Sequence, residues 1–156
     1  MNDLVRSLGA DERLPALGVA IVAVSLLLPW HGVPFAGGLV KTPLGEFGWV
    51  EVAIILTLGA AAYLVVRSAR DATFPRPLHI GTLIAVAGAW TAVLVAYRMV
   101  DRPDFDPLGD QRVGLRYGIF IALGGAALIV VGGLRKRRHE LGAERAAAEA
   151  KPRPST

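Results

Sequence analysis

The stretch GWVEVAIILTLGAAAYLVV, residues 48–66, decides the fold. After Glu51, fifteen consecutive residues carry no formal charge, and Thr57 and Tyr63 are the only ones with a hydroxyl. The apolar residues surround the helical wheel instead of keeping to one stripe. That is the pattern of a helix bathed in lipid rather than one lying on an aqueous surface. The length fits too, since a bilayer core takes about 20 residues of helix, with a range of roughly 17–25.

Three more runs share this character. They are LPALGVAIVAVSLLLPW at 14–30, the segment at 78–100 that follows the double-proline break FPRP, and YGIFIALGGAALIVVGGL at 117–134. The expected architecture is all-α: an integral membrane four-helix antiparallel bundle over residues 14–135, with spans at about 14–30, 49–66, 78–100 and 117–134. A short tail, 1–13, precedes it. A basic tail, 136–156, follows, with helical propensity in HELGAERAAAEA and disorder expected in KPRPST. In the first run Pro15 is expected in the first helical turn, where a missing N–H is harmless. Asp11 and Glu12 suit the positive end of that helix. No small-residue cleavage site follows Trp30, so the run reads as a retained span.

Composition agrees. Of 156 residues, 53% are hydrophobic, mean hydropathy is +0.48, and 19% are charged, against about 25% in soluble domains. There is no cysteine, which excludes disulfides, thiol catalysis and thiolate metal sites. The net charge of +4 does not point to nucleic acid, because the basic residues follow the pattern of an inner-membrane protein. Arg6, Arg13, Arg67, Arg70, Arg76, Arg135, Lys136, Arg137, Arg138, Arg145, Lys151 and Arg153 fall on one side. Lys41, Arg98, Arg102, Arg112 and Arg116 fall on the other. Twelve against five places both termini in the cytoplasm. Trp30, Trp49, Tyr97 and Tyr117 are the expected aromatic anchors at the outer interface.

Glu51 then lies near the outer rim, at the depth of Arg98, Asp101 and Arg116. These four residues form the candidate polar cluster. It reads either as an outward-facing pocket or as ion pairs that hold helices in register. The aspartates Asp101, Asp104, Asp106 and Asp110 lack the closing Glu of a calcium loop. His31, His79 and His139 fall in different connections and do not form one metal site. Catalytic and phosphate-binding motifs are absent, and ionisable residues are missing from the centres of the spans, which argues against active transport. Small residues recur at four-residue spacing: Gly81, Ala85 and Ala89, then Gly88, Ala92 and Ala96, and Gly118, Ala122 and Ala126. Such faces let helices approach closely in lipid.

The segments LLPW, GWVE, YRMVDRP and RYGIFIALGGAALIVVGG give the chain a resemblance to small four-span actinobacterial membrane proteins of unknown function, across roughly residues 14–135. The resemblance implies a four-helix membrane fold in a bacterial inner membrane, and carries no activity with it. The expected function is non-enzymatic, a structural or assembly-partner protein in contact with the lipid bilayer and with a membrane protein partner or further copies of itself. No cofactor, metal or catalytic residue is expected. The alternative is a small-molecule or ion pathway, or a sensor, that uses the charged outer rim.

Overall fold

The computed structural model describes residues 9–32, 40–45, 48–70, 79–101 and 114–150. Four helices dominate: α1 (Ala10–Ser25), α2 (Trp49–Ala69), α3 (Ile80–Val100) and α4 (Tyr117–Glu149). Each packs on its neighbours in sequence, and α4 closes the ring against α1 through one of its two broad seams, the other being with α3. The antiparallel order is visible in the contacts. The start of α1 meets the end of α2 through Glu12 and Ser68, and the end of α3 meets the start of α2 through Arg98 and Glu51. The result is an all-α antiparallel bundle. The Asp104, Asp106 and Asp110 segment, most of the first loop, and KPRPST lie outside the described residues.

The second, third and fourth helices are long and apolar enough to cross a membrane. The first run differs from expectation. Its helix begins at Ala10 and ends at Ser25, sixteen residues instead of a span running to Trp30. Pro29 is the physical reason for the early end, because it has no N–H to give to the Ser25 carbonyl. Leu28 N–H and the Trp30 indole N–H donate to that carbonyl instead, at 3.0 and 2.8 Å. The early start moves Pro15 into the helix interior, not its first turn. There it removes the N–H that would have met the Asp11 carbonyl. Its ring is buried against α4, where a Cβ on Gly132 would strike it.

Glycine sets the spacing of both α4 seams. A Cβ on Gly125 would lie 2.9 Å from the Gly18 carbonyl, and one on Gly18 would lie 2.6 Å from the Gly125 carbonyl. On the other side, Gly81 and Gly133 stand in the same reciprocal relation, each 2.7 Å from the other's carbonyl. Gly118, Ala122 and Ala126 are all buried. On α3 the buried small residues are Gly81, Ala85 and Gly88, while Ala89 and Ala96 are exposed. Backbones this close gain dispersion contacts that lipid cannot replace.

Val22, Ile54, Ile84, Val95, Ile119 and Ile129 fill the core with side chains almost entirely enclosed. The outward surface is equally apolar. Leu56, Tyr63, Val86, Trp90, Val93, Phe120 and Val131 are exposed. A helical bundle that is apolar on its outside and packed on its inside has lipid as its natural surround.

Candidate functional site

At one end of the bundle a three-stranded patch covers the helix ends. β1 (His31–Gly32) sits in the centre, antiparallel to both β2 (Val40–Lys41) and β3 (Gly114–Leu115). The strand β3 leads directly into α4, and two further bonds tie the pair together. Arg116 N–H donates to the Trp30 carbonyl at 2.8 Å, and Gly118 N–H to the Pro29 carbonyl at 3.2 Å.

Glu51 lies beneath this end, 1% exposed. The sequence places it near the rim with Arg98, Asp101 and Arg116; in the structure its side chain turns inward. Three features of its surroundings accommodate a buried carboxylate. It occupies the third position of α2, so the helix dipole favours its charge. Its Oε2 accepts the Gly48 N–H at 3.0 Å, one half of a capping box. Its Oε1 accepts Arg98 Nε at 2.6 Å from the last turn of α3. A buried charge is tolerated when it is paired and hydrogen-bonded in this way.

Arg98 extends the network. Its Nη1 lies 3.4 Å from the Asp101 carbonyl and 3.5 Å from Asp101 Oδ2. Its own backbone carbonyl is 3.2 Å from His31 Nε2, which makes that ring nitrogen the donor. Glu51, Arg98 and Asp101 are therefore joined, with His31 as a member that the sequence did not single out. Arg116 does not join them through Glu51. Its guanidinium lies over Gly32, where a Cβ would come within 2.7 Å of Nε. The reason is that Arg116 precedes α4 on the strand side, so its side chain follows β1 rather than the α2–α3 seam. Trp30 is also reassigned: it is 1% exposed, a plug under the strands rather than an interfacial anchor. Trp49 and Tyr97 are the exposed pair, with ring centroids 5.6 Å apart.

The opposite end has its own clasp. Glu12 Oε1 accepts Lys136 Nζ at 2.6 Å from α4 and Ser68 Oγ at 3.0 Å from α2. Burial pushes the Glu12 carboxyl up, but the bond and charge of Lys136, with the Ser68 hydroxyl and the backbone, outweigh it and hold the pKa below its ordinary value. Glu140 accepts Gly81 N–H at the start of α3, and His79 lies 3.4 Å from Glu144. His139 Nδ1 lies 3.6 Å from Asp11 Oδ2. Here α4 runs on as a single helix through what the sequence reading treated as a separate tail, and its first extra turns grip α1 and α3.

Between these ends, among the described residues, the buried polar groups are Ser25 and Thr91, and each bonds to its own helix, at the Val22 and Ala87 carbonyls. No group of three or more metal-ligating side chains occurs among the described residues. These features define a helical membrane protein with ion pairs at its two ends and an apolar middle. Comparison with family models, curated proteins and solved structures finds no match.

Proposed function

We propose that the chain is a four-span bacterial inner-membrane protein, both termini cytoplasmic, whose role is structural: it serves as an assembly partner in the membrane and not as an enzyme or a pathway. The observation that carries this is the apolar middle, where the buried polar groups among the described residues bond within their own helices. A route for ions or small solutes needs polar groups facing a cavity at mid-depth. Here Thr91 and Ser25 are bonded to their own helices, and the buried ionisable groups among the described residues stand at the two ends.

The first helix counts as a span in this reading despite its length. Sixteen residues give about 24 Å, short of a core of roughly 30 Å. Yet α1 and the turn after it accompany α4 from Gly132, against Pro15, to Gly118, against Leu28 and Trp30. The chain thus covers the same depth as its partner.

The test has two arms. After mild solubilisation from its native membrane, the full chain should migrate in a larger assembly, with photo-crosslinks from exposed Trp90 and Val86 to a protein. Reconstituted into liposomes, it should pass ions and small solutes no faster than protein-free vesicles. A lone monomer on the native gel together with selective flux in vesicles would overturn the reading.

A further inference from the structure

On the face of α2 turned away from the bundle lies a groove of about 370 Å³, whose described lining residues are Tyr63, Val66, Arg67 and Arg70. At about 100° per residue these four side chains share one sector of the helix, opposite the sector of Leu58, Ala61, Val65 and Ser68, which are buried. The guanidinium of Arg67 is held in place, because its Nη1 donates to the Tyr63 hydroxyl at 2.9 Å. Arg70 caps the helix and is exposed. Two cations therefore stand at the end of a membrane helix, at the depth where its apolar surface gives way to polar surroundings.

The same sector continues toward the middle of α2 through Ala60, Gly59 and Leu56, all exposed. A Cβ on Gly59 would meet nothing within 4 Å, so the surface there is open and shallow. The groove is thus an anion-attracting head with an apolar track leading from it. We propose that it binds one anionic glycerophospholipid, with the phosphodiester on Arg67 and Arg70 and an acyl chain along Tyr63, Ala60, Gly59 and Leu56. Guanidinium groups match phosphate oxygens in a bidentate fork, and basic pockets at the ends of membrane helices are sites of anionic headgroup recognition. A soluble phosphate would use the arginines but leave the track unused, which is why the geometry favours the lipid. The inference goes beyond the assembly role, and its test reads lipid retention whether or not a protein partner exists.

The full chain in phosphatidylcholine nanodiscs doped with phosphatidylglycerol is compared by native mass spectrometry with Arg67→Gln/Arg70→Gln. The control is Arg135→Gln/Arg138→Gln, which removes the same charge from exposed positions on α4, the helix diagonal to α2. The unaltered chain and the control should each retain one phosphatidylglycerol in preference to phosphatidylcholine. The α2 variant should lose that preference by at least about tenfold. Arg70→Gln alone, at an exposed cap, keeps the test open if the double variant does not fold, and should show a smaller loss. Equal retention by the α2 variants and the control would overturn the site. So would displacement of the lipid by inorganic phosphate, because the acyl track would then contribute nothing.

Discussion

Glu51 is the residue on which the outer end turns. Its depth was legible in the sequence, since a carboxylate two residues after Trp49 at a helix start has only one level to occupy. Its partner was not. Arg98 and Arg116 lie at similar depth, and depth alone does not separate them; the choice depends on which helix seam each side chain enters. Arg98 closes α3 against α2, while Arg116 follows β1. Glu51→Gln or Arg98→Gln alone should therefore cost on the order of 3 kcal/mol, because each leaves a buried charge uncompensated. The double variant should recover part of that loss, a coupling that an unfolding cycle in detergent measures directly. Arg116→Gln should be additive with Glu51→Gln. Strong coupling to Arg116 in place of Arg98 would refute the assignment. Glu12 provides the second test at this scale. Its carboxyl is held below the ordinary value near 4.5. A lowered carboxyl contributes stability that is fully present above the ordinary value and is lost as pH falls through the lowered one. Melting temperature should thus fall on acidification below about 4.5, and Glu12→Gln should flatten that acid limb. An unchanged limb in the variant would show that other carboxylates carry it.

Among the elements, α4 does most to hold the molecule together. The four-residue spacing of small side chains was legible, and Gly118, Ala122 and Ala126 are buried. Which neighbour each would meet was not, because a helix with glycine on several sides offers more than one close-packing face. The structure resolves this with two seams, Gly18 against Gly125 toward α1 and Gly81 against Gly133 toward α3. The extension of α4 past the membrane was legible only as helical propensity. Its attachment through Lys136 and Glu140 depends on where α1 and α3 begin, which is non-local information. A paired substitution distinguishes seam from surface. A Cβ at Gly133 would collide with the backbone of Ala85, whereas one at Gly124 would meet nothing within 4 Å. Gly133→Ala should cost about 1–3 kcal/mol through forced separation of the helices. Gly124→Ala should be neutral or stabilising by up to about 1 kcal/mol from helix propensity. Similar losses at both positions, measured by unfolding in detergent, would mean that the α3–α4 seam is looser than its geometry.

At the scale of the whole molecule, the two ends differ in charge, and that difference predicts the direction of insertion. The end that carries Glu12, Ser68 and Lys136 also carries Arg13, Arg67, Arg70, Arg135, Arg137 and Arg138. Among the described residues, the end that carries Glu51 has Lys41, Arg98 and Arg116, and Arg98 is paired with a carboxylate. Basic residues close to membrane helices resist translocation, so the richer end should stay in the cytoplasm. Aromatic side chains do not decide the matter, because Trp49, Tyr97 and Tyr117 mark an interface without saying which one. The absence of native cysteine makes the measurement clean. Leu44 lies exposed in the short helical turn at Pro43–Gly45, on the strand side, and Ala146 lies exposed near the end of α4. In intact cells Leu44→Cys should react with a membrane-impermeant maleimide, and Ala146→Cys should react only after the membrane is opened. The reverse pattern would invert the bundle and place the Arg67–Arg70 groove in the outer leaflet. Labelling of both in intact cells would put the two ends on one side. That requires an odd number of crossings between Leu44 and Ala146 to become even, and three antiparallel helices, α2, α3 and α4, stand between them.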